Sequence, residues 1–109
     1  MTLYLSVLTL GEIRKGTTLL SPGKKRTELE NWLETELPAR FNNRILPITG
    51  KIAELWGGMS AQAQMKGITL GVIDGLLGAT AIDHELTVAT RNVKDFSGCN
   101  VPVFNPWES

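Results

Sequence analysis

The sequence predicts a single α/β domain spanning residues 1–109, with short buried strands alternating with amphipathic helices. Three observations carry that prediction. The runs at 3–8, 86–90 and 101–104 are short and apolar enough to be buried strands. The segments between them repeat apolar residues at steps of three and four, the period of a helix with one buried face. Strands that alternate with helices pair in parallel within a layered fold.

The elements follow in order. After the strand at 3–8, Thr9 and Glu12 have the spacing of a capping box, so a helix is expected from Thr9. Leu10, Ile13, Thr17 and Leu20 share its inner face, and Ser21-Pro22-Gly23 breaks it. A second helix over 24–36 carries Leu29, Trp32, Leu33 and Leu37 as its stripe, and Pro38 disturbs its end. Residues 45–48 read as a strand or extended link. Thr49 caps a third helix that buries Ile52, Ala53, Leu55, Trp56 and Met59 and stops at Gly67. A fourth helix over 71–85 offers Ile73, Leu76, Leu77, Ala81 and Ile82 to the core. The strand at 86–90, a polar loop at 91–98 and the strand at 101–104 complete the chain.

Composition removes several function classes. Of 109 residues, 42% are hydrophobic, which suits a packed core rather than a disordered chain. Eleven basic residues balance eleven acidic ones, so nucleic acid would have to be met by local patches or metal ions and not by overall charge. The single cysteine, Cys99, excludes an internal disulfide. No apolar stretch reaches the ~20 residues of a membrane span, and the start of the chain lacks the basic and small-residue flanks of a signal peptide. A cytoplasmic protein with no membrane association is expected.

There is no phosphate-binding glycine loop, no paired CxxC and no HExxH. The lone His84 falls where a helix ends, and there a cation favours the helix dipole. Cys99 has no evident activating neighbour. The acidic residues are more informative. Glu12 follows the first strand, Asp74 opens an apolar helix, and Asn92 and Asp95 lie in the loop after LTVAT. Ligand sites in open parallel sheets gather at the carboxyl ends of strands. A set of carboxylates without thiolate or imidazole suits Mg²⁺ or Mn²⁺. The structural alternatives are that Glu12 only partners Thr9 in a cap, and that Asp74 only complements a helix N-terminus.

Five stretches in order resemble a PIN domain of the VapC or FitB toxin type: LSVLTLGEIRKG at 5–16, FNNRILPI at 41–48, IDGLLGATA at 73–81, LTVATRNVKDF at 86–96 and VFNPW at 103–107. The resemblance implies a PIN-like three-layer fold, a central parallel sheet flanked by helices. It implies a divalent-metal-dependent endoribonuclease toxin of a VapBC-like toxin–antitoxin module. Glu12, Asp74, Asn92 and Asp95 would be its catalytic and metal-holding residues, with Mg²⁺ or Mn²⁺ as cofactor, and Thr90 and Arg91 would position a phosphate. For Arg91, a solvated loop arginine is the plain alternative. The implied partners are an RNA substrate, a VapB-like antitoxin and a second copy in a homodimer. The family opens with a strand ending in Asp-Thr-Asn and a helix, on the order of 25 residues at average element lengths. This chain begins after that point, so an N-terminally truncated domain with impaired activity is expected. The alternative is a non-catalytic PIN remnant that binds an antitoxin.

Overall fold

The computed structural model describes residues 2–106, so Trp107 of the closing VFNPW stretch lies outside the described residues. The chain forms two compact units, Met1–Pro47 and Ile48–Ser109. Each is built on one parallel pair of strands.

In the first unit the opening strand, β1, is short: Leu5–Ser6. Helix α1 begins immediately and covers Val7–Leu19. Its cap is Ser6, whose side-chain oxygen accepts the Leu8 N–H at 3.1 Å. Such a bond is worth about 1 kcal/mol. The cap expected at Thr9 is therefore not used, and Glu12 sits exposed in the second turn instead of serving as a capping partner. Val7 and Leu8, expected in the strand, belong to the helix. The inner face is as the spacing predicts: Thr17 is buried, Leu10, Ile13 and Leu20 are half-buried, and the helix ends before Ser21.

Helix α2 (Lys24–Asn31) continues through a π turn at Trp32–Glu36 into α3 (Leu37–Arg40). The expected end at Pro38 is absorbed by the backbone. Proline lacks an N–H and crowds the carbonyl four residues back. The turn before it widens, and the Leu37 N–H donates to the Trp32 carbonyl five residues back. Leu33 and Leu37, both on the expected stripe, are the buried apolar side chains here. The chain then reverses through Asn43, whose φ of 63° is left-handed. Arg44 holds this reversal: it lies 5.1 Å over the Phe41 ring and donates to the carbonyls of Leu3 and Arg40. Strand β2 (Ile45–Leu46) pairs in parallel with β1, Leu5 opposite Ile45 and Ser6 opposite Leu46.

The second unit opens with α4 (Gly50–Met65), capped by Thr49 as expected, its hydroxyl accepting the Ile52 N–H at 3.2 Å. Ile52 is fully buried, whereas Ala53, expected inside, is exposed. The helix ends in a Schellman motif: Gly67 takes a φ of 72° and the Ile68 N–H reaches back to the Ala63 carbonyl at 2.8 Å. Helix α5 (Val72–Asp83) ends in the same motif, with the Leu86 N–H on the Ala81 carbonyl at 2.7 Å. Here the left-handed position is Glu85, with a φ of 55°, so a side-chain-bearing residue does what glycine does in α4. His84 is the C-cap of α5, the helix end at which the sequence places it.

Helices α4 and α5 pack through small residues. Gly75, Gly78, Ala79, Thr80 and Ala81 are all buried, while Ile73 stays exposed, contrary to expectation. A methyl group on Gly75 would come within 2.8 Å of the Trp56 indole, and one on Gly78 within 2.9 Å of the Cys99 sulfur. Lys51 and Asp83 tie the start of α4 to the end of α5 at 3.0 Å. Strand β3 (Val88–Ala89) pairs in parallel with β4 (Val103–Phe104), joined by a 3₁₀ turn at Val93–Phe96. The parallel pairing implied by alternation is thus present in both units. No described helix is long and apolar enough to cross a membrane.

Candidate functional site

The loop after β3 is built by its backbone. At the carboxyl end of the strand pair the Thr90 N–H donates to the Phe104 carbonyl at 2.9 Å. The Thr90 hydroxyl then accepts the Asn92 N–H at 3.0 Å, which turns the chain out of the strand. The Asp95 N–H donates to the Asn92 carbonyl at 3.0 Å, closing the 3₁₀ turn. Phe96, 4% exposed, anchors that turn in the core. One apolar anchor and three short hydrogen bonds leave the polar side chains between them facing outward.

Those side chains surround an open cleft of about 360 Å³ lined by Arg91, Asn92, Val93, Lys94, Asp95 and Asn105. Arg91, Asn92 and Asp95, all three among the expected site residues, line it together. Thr90 is not among the residues that line the cleft; its hydroxyl accepts the Asn92 N–H and so supports the loop. Lys94 and Asn105 were not singled out from the sequence. Lys94 stands inside the RNVKD stretch already quoted, and Asn105 directly follows β4. Parallel pairing of the two strands brings both to one edge.

Asp74 lies in the first turn of α5 and is half-buried. Its carboxylate bends back over the helix N-terminus: a methyl on Gly71 would lie 3.5 Å from Oδ2. A negative charge there is favourable to the exposed N–H groups of the first turn. Cys99 is the neighbour that the sequence did not reveal. Its thiol is pushed above its ordinary value, first by burial and then by the Asp74 charge. Gly78, one turn beyond Asp74, admits the Cys99 sulfur to the same face of α5. Glu12 belongs to the first unit, exposed on α1.

Among the described residues no group of three or more His, Cys, Asp or Glu side chains is gathered to hold a metal ion. The donor chemistry of Glu12, Asp74, Asn92 and Asp95 is nonetheless all oxygen, the kind hard divalent cations take.

The comparisons bear on this arrangement. The PIN domain family matches residues 2–97. The toxin FitB of Neisseria gonorrhoeae is 40% identical over 104 residues, covering 95% of this chain and 75% of that protein. The VapC ribonuclease Y4jK of Sinorhizobium fredii is 37% identical over 107 residues, covering 98% of this chain and 76% of the relative. Among solved structures, FitAB bound to an IR36 DNA fragment superposes with a TM-score of 0.90 at 38% identity, over 97% of this chain and 74% of that one. With the family matched across most of the chain and two such relatives covered over three quarters of their length, the chain belongs to the PIN-domain family, in the branch of VapC- and FitB-type toxins.

Proposed function

We propose that this chain is the endoribonuclease toxin of a VapBC-like toxin–antitoxin pair, dependent on a divalent cation and acting in the cytoplasm. The observation that carries the reading is the polar loop at the carboxyl ends of β3 and β4, held by Thr90 and Phe96 and presenting Arg91, Asn92 and Asp95 around one cleft. Asp74, in the first turn of α5, is a further carboxylate of the same unit, and Glu12 enters the reading through the family resemblance.

In this reading Asp74, Glu12, Asp95 and Asn92 would hold Mg²⁺ or Mn²⁺. When bound, such an ion activates a water and neutralises charge on a phosphodiester. The remaining work belongs to the chain itself. Arg91 takes a phosphate oxygen of the RNA through its planar fork of donors. Thr90 keeps Arg91 and Asn92 in place by holding the turn between them. Asp74 is carried on α5, whose next residue, Gly75, packs directly against the Trp56 indole, so the backbone that presents the carboxylate is held in place.

The toxin–antitoxin complexes among the similar structures support a VapB-like antitoxin as partner; a second copy of the chain in a homodimer is part of the same proposal. A ligand that binds only the folded form stabilises it by mass action. Coexpression with the antitoxin from the neighbouring gene should therefore raise soluble yield, and the two should co-purify. Light scattering should report a dimer.

The direct test is cleavage of single-stranded RNA with Mg²⁺, with Mn²⁺ and with EDTA. Cleavage that needs the metal and vanishes in Asp74→Asn supports the reading. An antitoxin that binds tightly to a chain that never cuts RNA would favour the non-catalytic alternative.

A further inference from the structure

We propose that Gly78 is a positioning residue of the candidate site: the notch it leaves in α5 seats Cys99, and this contact sets how the loop carrying Asn92 and Asp95 lies against the turn of α5 carrying Asp74. The proposal rests on the nuclease reading and deepens it by naming what holds the two carboxylate-bearing segments together.

The strands give the loop little support of their own. β3 and β4 are two residues each, and a two-stranded pair is marginal without something packed against it. The packing comes from the residues that follow Asp95. Phe96 is buried. The Cys99 N–H donates to the Phe96 carbonyl at 2.9 Å, so Cys99 is carried on the same tightly wound segment. Gly98 lies against the end of α4 and the link beyond it: a methyl there would meet Ile68 at 3.1 Å and Ala63 at 3.7 Å. Cys99 then reaches α5 itself.

The contact with α5 has no slack. A methyl on Gly78 would lie 2.9 Å from the Cys99 sulfur, 3.4 Å from its Cβ and 3.6 Å from Met59 Cε. A free thiol packs as a small apolar group, so the fit is one of shape. Gly78 stands four residues beyond Asp74, which puts both on one face of the helix. The Asp74 charge is accordingly felt at the Cys99 thiol. Asp95 stands four residues before Cys99 in the loop. One contact thus joins the helix turn that bears one carboxylate to the loop that bears the other. Alanine at 78 would favour the helix but would fill the seat. Restoring ordinary non-bonded separation would move the loop by roughly 0.6–1 Å. That exceeds the ~0.5 Å within which a constellation of ligands has to be held.

The loop can be tested without metal or RNA. Amide hydrogen exchange is followed by NMR on the full 109-residue chain, for Asp95 and Cys99 in the loop and for the interior of α4. In Gly78→Ala the loop amides should exchange about 10-fold faster, through local opening, with α4 changed much less. Cys99→Ala alone vacates the seat and should speed the same amides, which keeps the test available if Gly78→Ala does not fold. Joining the two substitutions places the new methyl where the sulfur was, and the loop amides should return to within about 3-fold of the parent. Titration with Mn²⁺ alone, followed by EPR, should show affinity roughly 10-fold weaker in each single variant, as for outer-shell residues of metal sites, and recovered in the double variant. In RNA cleavage kcat should follow the metal affinity while KM stays near the parent value. Ile52→Val opens a void elsewhere in the same unit and controls for lost stability. It should lower Tm and leave loop exchange and Mn²⁺ affinity unchanged.

Parent-like loop exchange in both single variants would overturn the proposal. So would a double variant no better than Gly78→Ala. Mn²⁺ affinity lost equally in Ile52→Val would make Gly78 a packing residue only and overturn it too. Loosening and rescue of the loop in a chain whose parent neither binds Mn²⁺ nor cuts RNA would uphold the role of Gly78 in placing the loop while defeating the nuclease reading.

Discussion

The two units of this chain are held together by different means. In Met1–Pro47, α2 buries no residue and α1 buries only Thr17. Its helices are laced by ion pairs: Arg14 with Glu34 at 3.0 Å and with Glu30 at 4.0 Å, and Arg26 with Glu30 at 3.5 Å. In Ile48–Ser109, five residues of α5 are buried, and two of its glycines have no room for a methyl group, Gly75 against Trp56 of α4 and Gly78 against Cys99. The packing is tight enough that the Trp56 indole N–H, buried against Gly75, has no hydrogen-bond partner among the described residues. Exposed ion pairs are tolerant of change, because water replaces what is lost. Close backbone packing is not, because the neighbours have nowhere to go. The candidate carboxylate Asp74 is carried on the unforgiving helix, one residue before Gly75, whereas Glu12 sits on the tolerant one.

That contrast makes graded predictions. The largest effect should come from Asp74→Asn, which keeps shape and removes charge. RNA cleavage should fall by about 100-fold or more, past the 10- to 100-fold that outer-shell residues of metal sites cost. Thermal unfolding should change little. Cleavage at the parent rate would remove Asp74 from the site. Glu12→Gln is the matching change in the first unit. Since Glu12 takes no part in the cap of α1, stability should stay within about 0.5 kcal/mol while cleavage falls. Unchanged cleavage would leave Glu12 as a solvated helix residue.

Gly75→Ala should show the rigidity of the second unit directly. The added methyl meets the Trp56 ring at 2.8 Å and Leu70 at 3.2 Å, so the helices must separate. Overpacking of this kind costs about 1–3 kcal/mol, against a gain of about 1 kcal/mol in helix propensity. A net loss of stability is expected, and denaturant unfolding should record it. A more stable variant would mean that the close approach of α4 and α5 is slack. Arg14→Ala in the first unit should cost under about 1 kcal/mol, since its closer partner Glu34 is exposed and Glu30 is only half-buried, and the loss should shrink in high salt. A larger, salt-insensitive loss would show that the network is more than a surface lacing.

The smallest effect is one of pH. The folded state holds the Cys99 proton more tightly than the unfolded chain does, through burial and then the Asp74 charge. Stability from this group is fully present below the ordinary thiol value of about 9.0 and is lost as pH rises through the raised folded value. A Tm series from pH 8 to 10.5 should therefore slope downward above about pH 9, less steeply in Asp74→Asn and not at all on this account in Cys99→Ala. An identical slope in Cys99→Ala would assign the pH effect to other groups.

What could be read from the sequence alone follows the reach of its signals. Thr49 caps α4, Gly67 ends it, Ser21-Pro22-Gly23 separates α1 from α2, and His84 closes α5, because each of these acts within about one helical turn of itself. The Arg91, Asn92 and Asp95 loop was legible for a related reason: a polar run directly after a buried strand has to leave the core. Tertiary structure decided the rest. Two cap signals stand three residues apart, Ser6 and Thr9, and the helix starts at Ser6, the last residue of β1 to find a partner, opposite Leu46. Pro38 could have ended a helix, yet Leu33 and Leu37 are both buried on the same continuous face, so the backbone takes up a π turn instead of stopping. Glu85 is left-handed because the last carbonyls of α5 need the Leu86 N–H, and that geometry outweighs the preference for glycine. Lys94 and Asn105, eleven residues apart in sequence, line one cleft only because β3 and β4 run in parallel and end together. Local chemistry sets what each segment can be. Which segments meet depends on strand pairing and helix contact between residues far apart in the chain, and no short pattern in the sequence records that.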